Sequence, residues 1–158
     1  MLIYGIDPGF TGAISLYWTD TQNLEVHDMP VAKSPKGKTV INCHAVLDIL
    51  QNEANEPCMA CLEQVGAMRG QGVSSMFRFG EGYGQLQMGC AAANLPLHFV
   101  TPAKWKGHFG LNREKGLSRN LAMQRFPAKS NLFSRVKDDG RAESALICVY
   151  ASEVLLTN

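Results

Sequence analysis

A few carboxylates occupy positions where an acid is conspicuous. Asp7 closes the apolar run Leu2-Ile3-Tyr4-Gly5-Ile6 and precedes Pro8-Gly9, and Glu63 closes a second run, Cys58 to Leu62. Glu143 stands before Ser144-Ala145-Leu146-Ile147, inside an apolar segment where an unpaired charge is costly, so it requires a partner. Asp139 lies four residues earlier, which puts both on one helical face near a helix start, where the helix dipole favours negative charge. Asp138 can take the place of Asp139, because helix starts are uncertain by a residue or two. Acids gathered at one place are what phosphodiester hydrolysis without a covalent intermediate needs. Two divalent ions about 3.5 to 4 Å apart can serve there, one activating water and the other holding the leaving oxygen. Three of these acids also have a plainer explanation: Asp7 as a turn residue, Asp138 and Asp139 as helix caps. Glu63 resists one, since it is in phase with Met59 and Cys61 and should share their inward direction.

The elements that must bring these acids together can be sketched from periodicity. Leu2–Ile6 and Gly12–Tyr17, joined by a Pro-Gly turn, predict a β-hairpin, and Leu24–Met29 alternates as a third strand. Residues 30–38 read as an exposed loop, and a helix is expected over about 42–52 with Val46, Leu47 and Leu50 inward. A fourth strand, Cys58 to Glu63, ends before the glycines Gly66, Gly70 and Gly72; Ser74 or Ser75 then caps a long helix. Gly80, Gly82 and Gly84 inside that helix imply close backbone approach, either to the sheet or to a second copy of the helix. Leu97–Val100 is a fifth strand, Thr101-Pro102 a capped helix start, 115–126 a helix stopped by Pro127, and 142–155 a last apolar helix. The result is α/β, a five-stranded mixed sheet with helices on both faces. If the first and fourth strands are parallel neighbours, Asp7 and Glu63 stand roughly 4.8 Å apart, within reach of one metal ion.

The chain of 158 residues, 46% apolar, suits a single domain over 1–158. No apolar run reaches the roughly 20 residues of a membrane helix, and no basic leader precedes the first strand, so a cytoplasmic location is expected. The five cysteines resemble buried reduced thiols, because Cys58 and Cys61 sit in a strand whose alternation points them to opposite faces. The net charge of +1 hides an asymmetry: residues 101–158 hold ten of the fifteen Lys and Arg. That last third is the candidate surface for a polyanion.

Three motifs in order, Gly5-Ile6-Asp7-Pro8-Gly9, Leu62-Glu63-Gln64-Val65 and Arg141-Ala142-Glu143-Ser144-Ala145-Leu146-Ile147, resemble the RuvC family of Holliday-junction resolvases, particularly its phage-type members. Between them, Thr101-Pro102-Ala103-Lys104-Trp105-Lys106 and Lys115-Gly116-Leu117-Ser118-Arg119 fall where that family keeps basic residues near DNA. The resemblance implies a ribonuclease H-like fold and a homodimer paired through the 75–94 helix. It implies two magnesium ions, with manganese able to substitute, on Asp7, Glu63, Asp139 and Glu143, Asp138 being the alternative ligand. It also implies paired nicks in four-way junctions, in a bacterial cell or a phage-infected host. The sequence departs from the family at two points: Gly140 stands where an acid three residues before Glu143 is usual, and Gly66 where many bacterial members carry a bulky aromatic.

Arg69, Arg78, Lys104, Lys106, Lys115 and Arg119 are the candidate DNA contacts, binding backbone phosphates rather than reading bases. Lys115 and Arg119 share a helix face by spacing, and Trp105 is expected to pack rather than stack. The rival functions are a nuclease for other branched DNA (flaps, replication forks), a non-cutting binder of DNA branches, and an actin-like nucleotide-binding domain. The actin-like domain needs two copies of the fold to enclose a nucleotide.

Overall fold

The computed structural model describes residues 1–51, 57–66, 70, 72–112, 114 and 116–156. Its main sheet has the strand order β3-β2-β1-β6-β7, with β1 (Leu2–Asp7), β2 (Ala13–Trp18), β3 (Asn23–Asp28), β6 (Cys58–Glu63) and β7 (Leu97–Val100). β1–β2 and β2–β3 pair antiparallel, while β1–β6 and β6–β7 pair parallel, giving the expected mixed sheet. Residues 30–38, expected as a loop, instead open a two-stranded ribbon of β4 (Val31–Lys33) and β5 (Thr39–Ile41). Gly37, with φ of +72°, lets the chain reverse there.

β1 is buried on both faces, as a central strand must be, and its alternate residues feed two cores. Leu2, Tyr4 and Ile6, with Ala60 and Leu62 of β6, pack under α1 (Cys43–Gln51) and α2 (Val73–Ala92). Ile3, with Met59 and Cys61, packs on the opposite side with residues of α3 (Pro102–His108), α4 (Leu117–Arg125) and α5 (Asp139–Tyr150). Thr101 caps α3 as expected, its hydroxyl accepting from the Lys104 amide, and Pro102 follows in the first turn.

Three helix starts differ from expectation. α2 begins at Val73 after Gly72, without a side-chain cap. α4 begins at Leu117 rather than at residue 115, because Gly116 is left-handed at φ +87°. α5 begins at Asp139, three residues before the expected start, and past Tyr150 it loosens into a π-helical turn, Ala151–Leu155. All five cysteines are free thiols. Among the described residues no helix is long and apolar enough to cross a membrane.

α5 lies directly across β1 and β2, and its placement is tightly specified. Ser144 Oγ and Ser15 Oγ are 2.6 Å apart in a buried pair, and the Cys148 thiol donates to the carbonyls of Ile3 and Ser15, each at 3.4 Å. A side chain on Gly5 would fall on the carbonyl oxygen of Ser144, and only hydrogen there lets helix and strand meet. Arg141 adds a forked pair to Asp28 on β3, at 2.5 and 2.6 Å, and this hydrogen bonding holds the Asp28 carboxyl below its usual range.

Candidate metal centre

The parallel register that pairs Ile6 with Leu62 makes Asp7 and Glu63 neighbours at the ends of adjacent strands. α5, fixed by the Ser15–Ser144 contact, carries Glu143 over the same strand ends. One oxygen from each of Asp7, Glu63 and Glu143 lies within 4.8 Å of the others. Three segments far apart in sequence thus converge on one point, beside a cleft of about 460 Å³ lined by Asp7 and Glu143 together with Lys106, Lys137 and Asp139.

The electrostatics are those of a site short of positive charge. Burial raises the pKa of Asp7 well above its ordinary value, and Glu63 and Glu143 raise it further, against an opposing pull from Lys106. Burial also raises Glu63, partly countered by a hydrogen bond from Trp105. Lys106 Nζ lies 2.7 Å from Glu143 Oε1, and Ser118 Oγ donates to the same oxygen at 3.3 Å. A cluster of hard oxygen donors whose mutual repulsion is only partly relieved suits a hard divalent cation.

The other two candidate acids lie elsewhere. Asp139 lines the cleft, but its Oδ1 is held 2.7 Å from Arg119 Nε, outside the three-carboxylate group. Asp138 is buried in a 3-10 turn, Val136–Asp138, and accepts from the Arg135 backbone and guanidinium at 2.9 Å each. Burial alone would push the Asp138 carboxyl up, but the Arg135 hydrogen bonds outweigh it and hold it below its usual range. Asp138 is thus tied to Arg135 at the start of α5 and lies outside the three-carboxylate group. Gly140 explains the departure from an acidic pair. A Cβ there would sit 2.5 Å from the Thr11 carbonyl oxygen and 2.9 Å from Asp7 Oδ2, so the β1–β2 turn leaves no room for an acid.

Of the basic candidates, Lys106 points into the carboxylates and Arg119 is occupied by Asp139. Lys104 is exposed on α3, and Arg78 on α2 donates weakly to the Ser74 carbonyl, at 3.4 Å. Arg69 and Lys115 lie outside the described residues, so the helix face expected for Lys115 and Arg119 is not defined. Trp105 packs, as expected, but it does more: its indole N–H donates to Glu63 Oε1 at 2.8 Å. The sequence signal was faint, an indole one residue before Lys106 whose donor needs a buried acceptor.

This sheet order, with α5 carrying a carboxylate over the ends of β1 and β6, defines a ribonuclease H-like α/β fold. Among solved structures the chain is similar to Thermus thermophilus RuvC in complex with a Holliday junction substrate, at TM-score 0.60 and 15% identity, covering 97% of this chain and 95% of that one. A second T. thermophilus RuvC structure matches at TM-score 0.55 and 16% identity, over 97% and 96%. The yeast mitochondrial Holliday junction resolvase Ydc2 matches at TM-score 0.51 and 18% identity, over 92% and 75%. No family model and no curated protein sequence matches the chain. At such identities the shared property is the fold, and the chain has that of the RuvC resolvases.

Proposed function

We propose that this protein is a magnesium-dependent endonuclease that resolves four-way DNA junctions by paired nicks. The observation that carries this reading is the meeting of Asp7, Glu63 and Glu143 within 4.8 Å, beside a cleft that also holds Lys106 and Lys137. The fold shared with RuvC bound to junction DNA supports the choice of substrate.

Asp7, Glu63 and Glu143 would hold magnesium, with manganese able to substitute, and Asp139 on the same cleft would complete a second position on release from Arg119. A divalent ion bound there supplies Lewis acidity at the phosphate and a more acidic water. The chain's own groups do the rest. Trp105 and Lys106 hold Glu63 and Glu143, and Lys106 and Lys137 draw the phosphate in by charge, so affinity falls steeply with salt. Incubating labelled four-way, flap and linear DNA with and without magnesium, beside Glu63→Gln, tests the reading. Paired nicks in the four-way substrate alone, absent without magnesium and in the variant, are expected. Equal cutting of flaps would make the enzyme a broader branched-DNA nuclease, and no cutting of any substrate would overturn the proposal.

Paired nicks call for two copies. α2 offers a stripe facing away from its own core: Val73, Phe77 and Met88 are 87%, 73% and 67% exposed, and Gly80 and Gly84 between them have nothing within 4 Å of an added Cβ. Gly82 faces inward instead, onto Ile41. A two-fold pairing through this stripe would give two matched sites. Phe77→Glu is expected to sediment as a monomer and to nick single strands without pairing the cuts. A variant that stays dimeric would remove α2 from the interface.

A further inference from the structure

We propose that Trp105 is a positioning residue for Glu63, its indole N–H holding one carboxylate oxygen so that the other is turned toward Asp7 and Glu143. This rests on the reading of Asp7, Glu63 and Glu143 as ligands of a divalent ion.

Two adjacent residues of α3 serve two of the three acids in different ways. Lys106 reaches Glu143 with an ammonium on a flexible stem that remains partly exposed, a charge that can be exchanged for another cation. Trp105 is 0% exposed and Glu63 6%, and the ring is wedged in the core that includes Val100, Ala142 and Leu146, so it has nowhere to turn. α3 itself is fixed at its start by the Thr101 cap, and the strand end by the Gln64 amide, which donates to the Val100 carbonyl at 2.7 Å. An indole N–H is a donor only: it keeps its proton and cannot compete as a ligand. It therefore occupies one lone pair of Oε1 and fixes the plane of the carboxylate. Donors that orient a ligating carboxylate in this way are typically worth about 10 to 100-fold in metal affinity. A tryptophan that merely filled the core would leave metal affinity untouched when only its N–H was lost.

Trp105→Phe removes that N–H and keeps most of the ring. Manganese binding, followed by electron paramagnetic resonance without DNA, should weaken about 10 to 100-fold in Trp105→Phe. In a Glu63→Gln background the same change should cost nothing further. Wild-type affinity in Trp105→Phe, or an equal loss in both backgrounds, would overturn the positioning role. A wild-type chain that binds no manganese would bring down the metal reading and this proposal with it, an outcome distinct from the other two. Should Trp105→Phe not fold, Trp18→Phe leaves Trp105 as the only indole, since the chain has two tryptophans. Its emission should then shift as magnesium is added and stay constant in the added presence of Glu63→Gln, and an unshifted emission in the first case overturns the proposal.

Discussion

Replacing Asp7 with asparagine is expected to raise the melting temperature of the metal-free protein at pH 8 by about 3 °C, the shift that roughly 1 kcal/mol produces in a chain of this size. It is expected at the same time to lower junction cleavage on the order of 10³-fold, the scale of several kcal/mol of lost charge stabilisation. The opposite signs come from one cause. Burial, and then Glu63 and Glu143, raise the Asp7 pKa above its value in the unfolded chain. A carboxyl shifted upward stabilises the fold while it is protonated, below its unfolded pKa near 3.9, and loses that contribution as pH climbs through the folded value. Above that folded value the wild-type chain carries the cost of a desolvated anion, which asparagine removes, so the advantage of the variant should grow as the pH rises and shrink as it falls. Magnesium should reverse the order by stabilising the wild type through mass action and the variant hardly at all. Thermal melts of both proteins at pH 5 and pH 8, with and without magnesium, measure the three stability effects, and a junction-cleavage assay measures the loss of activity. A wild-type melting temperature indifferent to magnesium would remove the metal centre.

Gly5→Ala should destabilise the protein by at least about 3 kcal/mol, or roughly 10 °C, and leave much of it insoluble. The added carbon would fall on the Ser144 carbonyl and stand 2.6 Å from Cys148 Sγ and 2.9 Å from the Cys148 amide. Two of these are backbone atoms of α5, and a buried helix backbone cannot swing aside as a lysine tip can. Relief requires lifting α5 off β1, which breaks the Ser15–Ser144 contact and carries Glu143 away from Asp7 and Glu63. Any Gly5→Ala protein that does fold should accordingly bind manganese more weakly. Gly107→Ala, with nothing within 4 Å of the added carbon, is the control and should melt at or above the wild-type temperature. Chemical denaturation of the two variants side by side decides the matter, and equal stabilities would show that α5 is not seated as described.

Much of this was legible beforehand because the signals were local. The strands β1, β2, β3, β6 and β7 follow from alternating or continuous apolar runs broken by Pro and Gly, and Asp7, Glu63 and Glu143 stood out because each interrupts such a run. What could not be read depended on partners distant in the chain. Asp139 is taken by Arg119, twenty residues away, and the indole of Trp105 finds Glu63 at a separation of 42. Asp138 looked interchangeable with Asp139, but one residue of rotation at a 3-10 turn sends its carboxylate to Arg135 instead. The ribbon of β4 and β5 hid in a stretch rich in Pro, Lys and Ser, since three-residue strands carry almost no periodic signal. Gly140 was visible as a departure, yet its reason, the Thr11 carbonyl against α5, exists only in three dimensions.

α2 and α5 lie on opposite faces of the sheet. If copies meet through α2, the outward stripe that would space two incisions is separate from the carboxylates that would make them. Changes at Phe77 or Met88 would then alter the distance between the proposed cuts, and hence the shape of DNA accepted, without replacing any of the proposed ion ligands.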